Sequence, residues 1–323
     1  MAPPQAATEY KGDQATVRGL LEAFLDEIDG TVSKERFDVL TYYASLFAQN
    51  FETMLVLEIK PSTLAKWLIA PKPGRMKKDD KVGPDILWKS STQRHAAALI
   101  KRAWKWAHNA GHIRVNAIAN FALPECEYRD DVIEIDVHNR LVRHCMSIPD
   151  ARPFALYLIA SRCGAHPQQI REVTAAHVSH DGTKWIFKKH KTVGKTKRPL
   201  IVYLPPCLQT LTRILVESHP IGPLFLNSSG KPWKSDTVTQ RMERLRTRLD
   251  LPKDVVAYLY RHTLATDALL AGQTIAVVAQ LLGHTDTRMV SRVYSHLEKH
   301  PSHLIDAMAK TAESRLDRGK SKR

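Results

Sequence analysis

RHTLATDALLAGQTIAVVAQLLGHTDTRMVSRVYSHL, residues 261–297, decides how this chain folds and what chemistry it can carry. Leu264, Ala268 and Leu269 recur at helical spacing, and Gly272 ends that helix. Thr274 is placed to cap a second helix with Ile275, Val278, Leu281 and Leu282 on its buried face, and Gly283 closes it. His284 therefore emerges just where the helix stops. On the next helix Met289, Val290, Val293 and Leu297 form the apolar face, and Tyr294 lies ten residues after His284. Arginine offers a planar fork of donors for phosphate oxygens, histidine a donor that can be neutral or charged, and tyrosine an oxygen nucleophile. Arg261, His284 and Tyr294 together suit attack on a phosphodiester, with no metal required.

Working outward, a helix over ARPFALYLIASRCG is expected to end at Gly164, and Pro167 heads another helical turn in PQQIREV. His180-Asp181-Gly182 signals a turn before a strand at Trp185-Ile186-Phe187, and Leu200 to Leu204 reads as the β-branched return strand. Between these strands Lys188, Lys189, Lys191, Lys195, Lys197 and Arg198 crowd one hairpin, a composition suited to phosphate contact. Helices resume after Pro205-Pro206, interrupted by the polar turn NSSGKP before TVTQRMERLRTRL. The expected fold class is mainly α with a small β-sheet.

The charge follows the same division. The chain has 323 residues, 48 Lys+Arg against 33 Asp+Glu and a net charge of +15. Residues 129–323 hold 31 Lys+Arg and 18 Asp+Glu, a net +13, which leaves only +2 on residues 1–128. A basic field on the half that carries the phosphate chemistry points to a polyanionic partner, most economically nucleic acid. Cys126, Cys145, Cys163 and Cys207 lack the paired spacing of zinc sites and read as reduced intracellular thiols, so neither metal nor cofactor is expected. With no apolar run of membrane length and no secretory leader, no membrane role is expected, and the expected location is cytoplasmic.

Upstream, Val17, Leu20, Leu21, Phe24, Leu25 and Ile28 have helical spacing, and Ser33 starts a second helix carrying Phe37, Leu40, Tyr43 and Phe47. A short helix is expected near Thr63 to Ile69, then the loop PKPGRMKKDDKVGPD, then a helix from a Ser/Thr cap at residues 90–92 to about Gly111. Trp104 and Trp106 on that helix read as packing residues. The segment from Leu123 to Asp136 reads as a linker. The division expected is a disordered tail at 1–13, a helical domain at 14–124, a second domain at 125–315 and a basic tail at 316–323.

The string with Arg261-His262, Leu281-Leu282-Gly283-His284 and Val293-Tyr294-Ser295-His296-Leu297 resembles the active-site half of the tyrosine recombinases, the phage integrase family. Residues 88–121, WKSSTQRHAAALIKRAWKWAHNAGHIRVNAIANF, are similar to the end of that family's core-binding domain, so residues 14–124 would be the core-binding, DNA-binding domain and 125–315 the catalytic domain. The resemblance implies that Tyr294 attacks the scissile phosphate to give a 3′-phosphotyrosyl link and a free 5′-hydroxyl, without cofactor. It implies Arg261 and His284 on the phosphate, and Lys191 in His190-Lys191-Thr192 as the acid for the leaving 5′ oxygen, with Lys195 the alternative. Lys188, Lys189, Lys195, Lys197 and Arg198 would contact DNA, and a homo-tetramer on paired sites would be the working assembly. The first box departs from the pattern: Cys163-Gly164-Ala165-His166-Pro167-Gln168-Gln169 stands where the family usually has threonine-glycine-x-arginine-proline-x-glutamate. Tyr258 stands where the family usually has histidine. His166 thus occupies the first arginine's place, and Arg162 and Arg171 reach it only by a rearranged turn. The implied function is site-specific DNA cleavage and rejoining. A catalytically impaired DNA-binding relative and a type IB topoisomerase are the other classes compatible with these residues.

Overall fold

The structure, a computed structural model, describes residues 14–73, 85–126, 131–189, 197–284, 286–288 and 290–291. The expected tails at 1–13 and 316–323 lie outside the described residues, as do Lys191, Lys195 and Tyr294. The chain divides into two compact units, Met1–Tyr128 and Arg129–Arg323.

The first unit is helical. Helix α1 (Val17–Ile28) starts where the Thr16 hydroxyl accepts from the Gly19 amide at 3.2 Å, and α2 (Lys34–Phe51) where Ser33 accepts from Arg36 at 3.4 Å. Helix α3 (Pro61–Ile69) begins two residues before the expected Thr63, because a proline at the head of a helix has no amide to leave unpaired. The expected Ser/Thr cap of α4 (Ser90–Asn109) is corrected. Lys89 occupies the cap position, its carbonyl taking the amides of Thr92 and Gln93, and Ser90 to Thr92 form the first turn. Phe47 meets Trp67 and Trp104 edge-on at 4.8 and 5.9 Å in the core, and Trp106 packs against Phe24 at 5.7 Å, so both α4 indoles are packing residues. Lys72 was read as loop but is buried, its ammonium 4.9 and 4.7 Å from the ring centres of Trp67 and Trp88. It donates to the Ala70 and Trp67 carbonyls, and burial lowers its pKa.

The second unit is mainly α with a two-stranded sheet. Helix α5 (Ile135–Ser147) starts within the last two residues of the expected linker and was not foreseen. Its buried stripe is His138, Leu141 and Cys145, and the Nδ1 of His138 pairs with the Tyr260 hydroxyl at 2.8 Å. Helix α6 (Arg152–Ser161) buries Phe154, Tyr157 and Leu158 and gives way to a turn at Gly164. After the short helix α7 (Pro167–Glu172), β1 (Lys184–Phe187) and β2 (Leu200–Tyr203) pair antiparallel with Trp185 opposite Val202 and Phe187 opposite Leu200. Val178 bridges Trp185 across the expected His180-Asp181-Gly182 turn. Helices α8 (Pro206–Ser218), α9 (Ser235–Leu249), α10 (Leu259–Leu270) and α11 (Ile275–Leu281) complete the described part. Thr274 caps α11 as expected, accepting from Val277 at 3.3 Å. Ala265, Leu269, Val278, Ala279 and Leu282 bind α10 to α11 in a small apolar cluster of their own.

Candidate functional site

The first turn of α10 sorts its side chains by helical period. Leu259 and Tyr260 enter the core, 2% and 3% exposed, which turns Tyr258 and Arg261 outward on the other face. The Arg261 guanidinium is the centre of the arrangement. Its Nη1 donates to the carbonyl of Gly164 at 2.9 Å and its Nη2 donates to the carbonyl of Leu282, with the Tyr258 phenol near enough to act on its charge. Burial lowers the pKa of Arg261, and Tyr258 acts in the opposite sense. One side chain thus ties together the turn after α6 and the turn after α11.

Each turn depends on a glycine. Gly164 has φ +71°, and a Cβ there would lie 2.3 Å from Cδ2 of Leu264 on α10. Gly283 has φ +66°, and its Cβ would lie 2.2 Å from Cδ1 of Leu200 on β2. These close approaches let the Gly164 and Leu282 carbonyls reach the same guanidinium. They also set His166, two residues after Gly164, and His284, one residue after Gly283.

His166 is the N-cap of α7. Its Nδ1 accepts from the Gln168 amide at 3.1 Å, and its own amide donates to Oε1 of Gln169 at 2.7 Å. Gln169 therefore supplies through its amide oxygen the acceptor that a glutamate would. The His166 ring meets Tyr258 at 5.4 Å between centroids, and Tyr258 meets His262 at 5.3 Å. His284 is fixed by its amide, which donates to Ala279 at 2.8 Å. Its pKa is lowered first by burial and then by the charge of Arg261, with Asp286 opposing, and its buried Nδ1 has no protein partner. The sequence-expected residues His166, Tyr258, Arg261 and His284 thus belong to one site, together with His262, which had no assigned role. Lys188 and Lys189 leave β1 exposed, and Lys197 and Arg198 are exposed just before β2.

Arg162 does not stand in for the first arginine. It lines a 410 Å³ cavity on the other face of α10, with His138, Tyr260, Thr263 and Asp267. Arg171 lies in the last turn of α7, where its charge acts on Tyr157. Cys163, in the place of the usual threonine, is buried with its thiol pushed up to about 12, which makes it a packing group. Among the described residues no group of three or more His, Cys, Asp or Glu is placed to hold a metal ion. No described helix is long and apolar enough to cross a membrane.

A sequence model of the phage integrase family matches residues 131–300. The chain belongs to the phage integrase family. Among curated relatives, the tyrosine recombinase XerD of Staphylococcus saprophyticus is 27% identical over 100 residues, 31% of this chain and 34% of that protein. The XerD of Staphylococcus aureus gives the same identity and the same coverage. The match therefore spans about a third of the length of these relatives. Among solved structures, the Tn1549 transposon integrase in complex with circular intermediate DNA superposes with a TM-score of 0.65 at 14% identity, covering 86% of this chain and 94% of that one. A lambda integrase tetramer bound to a Holliday junction gives a TM-score of 0.67 at 14% identity, covering 90% and 80%. At such identity the likeness is one of fold, and it extends the integrase architecture beyond the matched segment to most of this family member.

Proposed function

We propose that this protein is a site-specific DNA recombinase that cleaves and rejoins duplex DNA through Tyr294. The Tyr294 oxygen gives up its proton and bonds to phosphorus, the bond to the 5′ oxygen breaks, and Lys191 protonates that leaving oxygen. A 3′-phosphotyrosyl link and a free 5′-hydroxyl result. Attack by another strand's 5′-hydroxyl reverses the step, so bond energy is conserved and no cofactor enters. Arg261, His284, Tyr258 and His166 face the non-bridging oxygens, where donors fixed in advance stabilise the charge that develops.

The observation that carries this reading is the Arg261 guanidinium, which gathers the turns bearing His166 and His284 around the exposed Tyr258. Arginine, imidazole and phenol groups gathered in this way suit an anion. The exposed Lys188 and Lys189 after β1, with Lys197 and Arg198 before β2, add backbone contacts to duplex DNA. Assembly as a homo-tetramer on paired sites is part of the proposal, supported by the tetrameric lambda integrase that shares the fold.

The test uses nicked duplexes tiled across the DNA that flanks this protein's own gene, so that a cleaved strand diffuses away and the covalent adduct accumulates. Wild-type protein is expected to form an adduct on at least one duplex, and Tyr294→Phe none. An adduct that persists in Tyr294→Phe, or no adduct on any duplex, overturns the proposal.

A further inference from the structure

The cavity on the far side of α10 from Arg261 has a volume of 410 Å³ and is lined from α10, from Arg162 at the end of α6 and from the segment that leads into α5. That volume falls in the range of small-molecule sites, roughly 300–1,000 Å³. Two long-range bonds build it. The Ile133 amide donates to Oγ1 of Thr263 at 2.8 Å, and Nδ1 of His138 pairs with the Tyr260 hydroxyl at 2.8 Å, so each fastens the α5 side of the cavity to α10.

The lining carries both signs of charge without pairing them. Arg162, Glu134 and Asp267 all line the cavity, and among the described residues none of the three makes an ion pair or a side-chain hydrogen bond. They are still close enough to feel one another: burial raises the pKa of Asp267, with the charge of Arg162 opposing and that of Glu134 adding to the rise. His138 is 6% exposed. The Tyr260 hydroxyl has no other described acceptor, so its hydrogen goes to Nδ1 and the imidazole proton sits on Nε2. Nε2 has no described partner and is the donor that His138 brings to the cavity it lines. Beside these polar groups the lining is aliphatic, with Ile133 buried and Ile135 and Leu270 left 49% and 40% exposed.

We infer that this cavity binds a free aliphatic α-amino acid, with its carboxylate on Arg162 and Nε2 of His138, its ammonium on Asp267 and Glu134, and its side chain against Ile133, Ile135 and Leu270. An anion alone would meet two carboxylates, an amine alone would meet a guanidinium, and a wholly apolar molecule would strip water from three charges. A zwitterion answers both signs at once, and the aliphatic lining selects leucine, isoleucine or valine over amino acids with charged side chains. The site shares no residue with the one proposed for the phosphate, and it stands or falls separately from the recombinase reading.

The experiment is isothermal titration of the full-length protein with L-leucine, which should bind at one site per chain with a Kd on the order of 0.1 mM. At ~10 mM leucine the melting temperature should rise by roughly 5–10 °C. Leucinamide lacks the carboxylate, isocaproate lacks the ammonium and glycine lacks the apolar side chain, and each should bind at least ~10-fold more weakly. Arg162→Gln should weaken leucine by ~10–100-fold without weakening leucinamide, and Asp267→Asn should weaken leucine without weakening isocaproate. Damage to the fold would weaken every ligand alike, so this crossed pattern reads the contacts themselves. Absence of both heat and a melting shift with leucine, isoleucine and valine overturns the site. So does binding of leucinamide or inorganic phosphate as tight as that of leucine, or leucine binding that survives both substitutions.

Discussion

Gly164→Ala tests whether the turn after α6 is held as tightly as the site requires. Two costs add. A left-handed backbone at φ +71° costs an alanine roughly 1–2 kcal/mol. The new Cβ falls 2.3 Å from Cδ2 and 3.2 Å from Cβ of Leu264, so either that side chain leaves its place in the α10–α11 cluster or the turn retreats, at about 1–3 kcal/mol. The expected destabilisation is about 2–5 kcal/mol, which in a unit of this size lowers the melting temperature by roughly 5–15 °C. Retreat of the turn also draws the Gly164 carbonyl from Arg261 and shifts His166, and a misplacement of about 1 Å in a catalytic group costs on the order of 10²-fold. The assays are thermal unfolding followed by circular dichroism, and single-turnover cleavage well below the transition. Gly182→Ala is the control, because its φ of +68° carries the strain while nothing lies within 4 Å of the added carbon. Its cleavage rate should equal that of the wild type. Equal melting temperatures and equal cleavage for Gly164→Ala and the wild type would refute the reasoning.

The remaining predictions concern proton transfer, affinity and pH. Lys191→Ala should lose cleavage on ordinary DNA and recover it on a 5′-bridging phosphorothiolate, whose leaving group needs no acid; loss and rescue in Lys195→Ala instead would move the acid there. Tyr294→Phe should bind duplex DNA as tightly as the wild type, with affinity falling steeply between 50 and ~200 mM salt; binding flat in salt would contradict the basic interface. The pKa of His138 is lowered to about 4, first by burial and then by the charge of Arg162, whereas unfolded the ring binds a proton near ~6.5. The folded protein is therefore fully stable above that value and loses about 2 kcal/mol as pH falls to ~5. His138→Gln, which keeps a partner for the Tyr260 hydroxyl, should flatten this decline in melting temperature. The lowered pKa of His284 leaves a residual slope, and an unchanged slope would remove His138 as its source.

The sequence was most legible where backbone punctuation is local. Gly272, Thr274 and Gly283 set the ends of α10 and α11 because caps and left-handed turns leave their mark within a few residues. Helix α5 escaped because its buried stripe contains His138, a polar residue in an apolar position whose partner Tyr260 lies 122 residues away. The Ser/Thr run that opens α4 misled for a related reason: Lys89 supplied the extended backbone that starts the helix, and no side-chain bond was needed. That the His166 imidazole caps α7 through Nδ1 follows from geometry alone. The acceptors of Arg261 are backbone carbonyls 97 and 21 residues distant, and a carbonyl has no letter in a sequence.

The double attachment of Arg261 bears on how copies of such a gene decay. In the mechanism proposed above, loss of Tyr294 removes the attacking oxygen. Loss of Arg261 releases two turns at once and leaves two carbonyls in a partly buried place without their donor. A descendant that has stopped recombining but still survives by occupying DNA is thus free to drift at position 294 and is held at position 261 by folding. Across a lineage, the persistence of this arginine records selection for a folded protein and is not by itself a record of strand exchange.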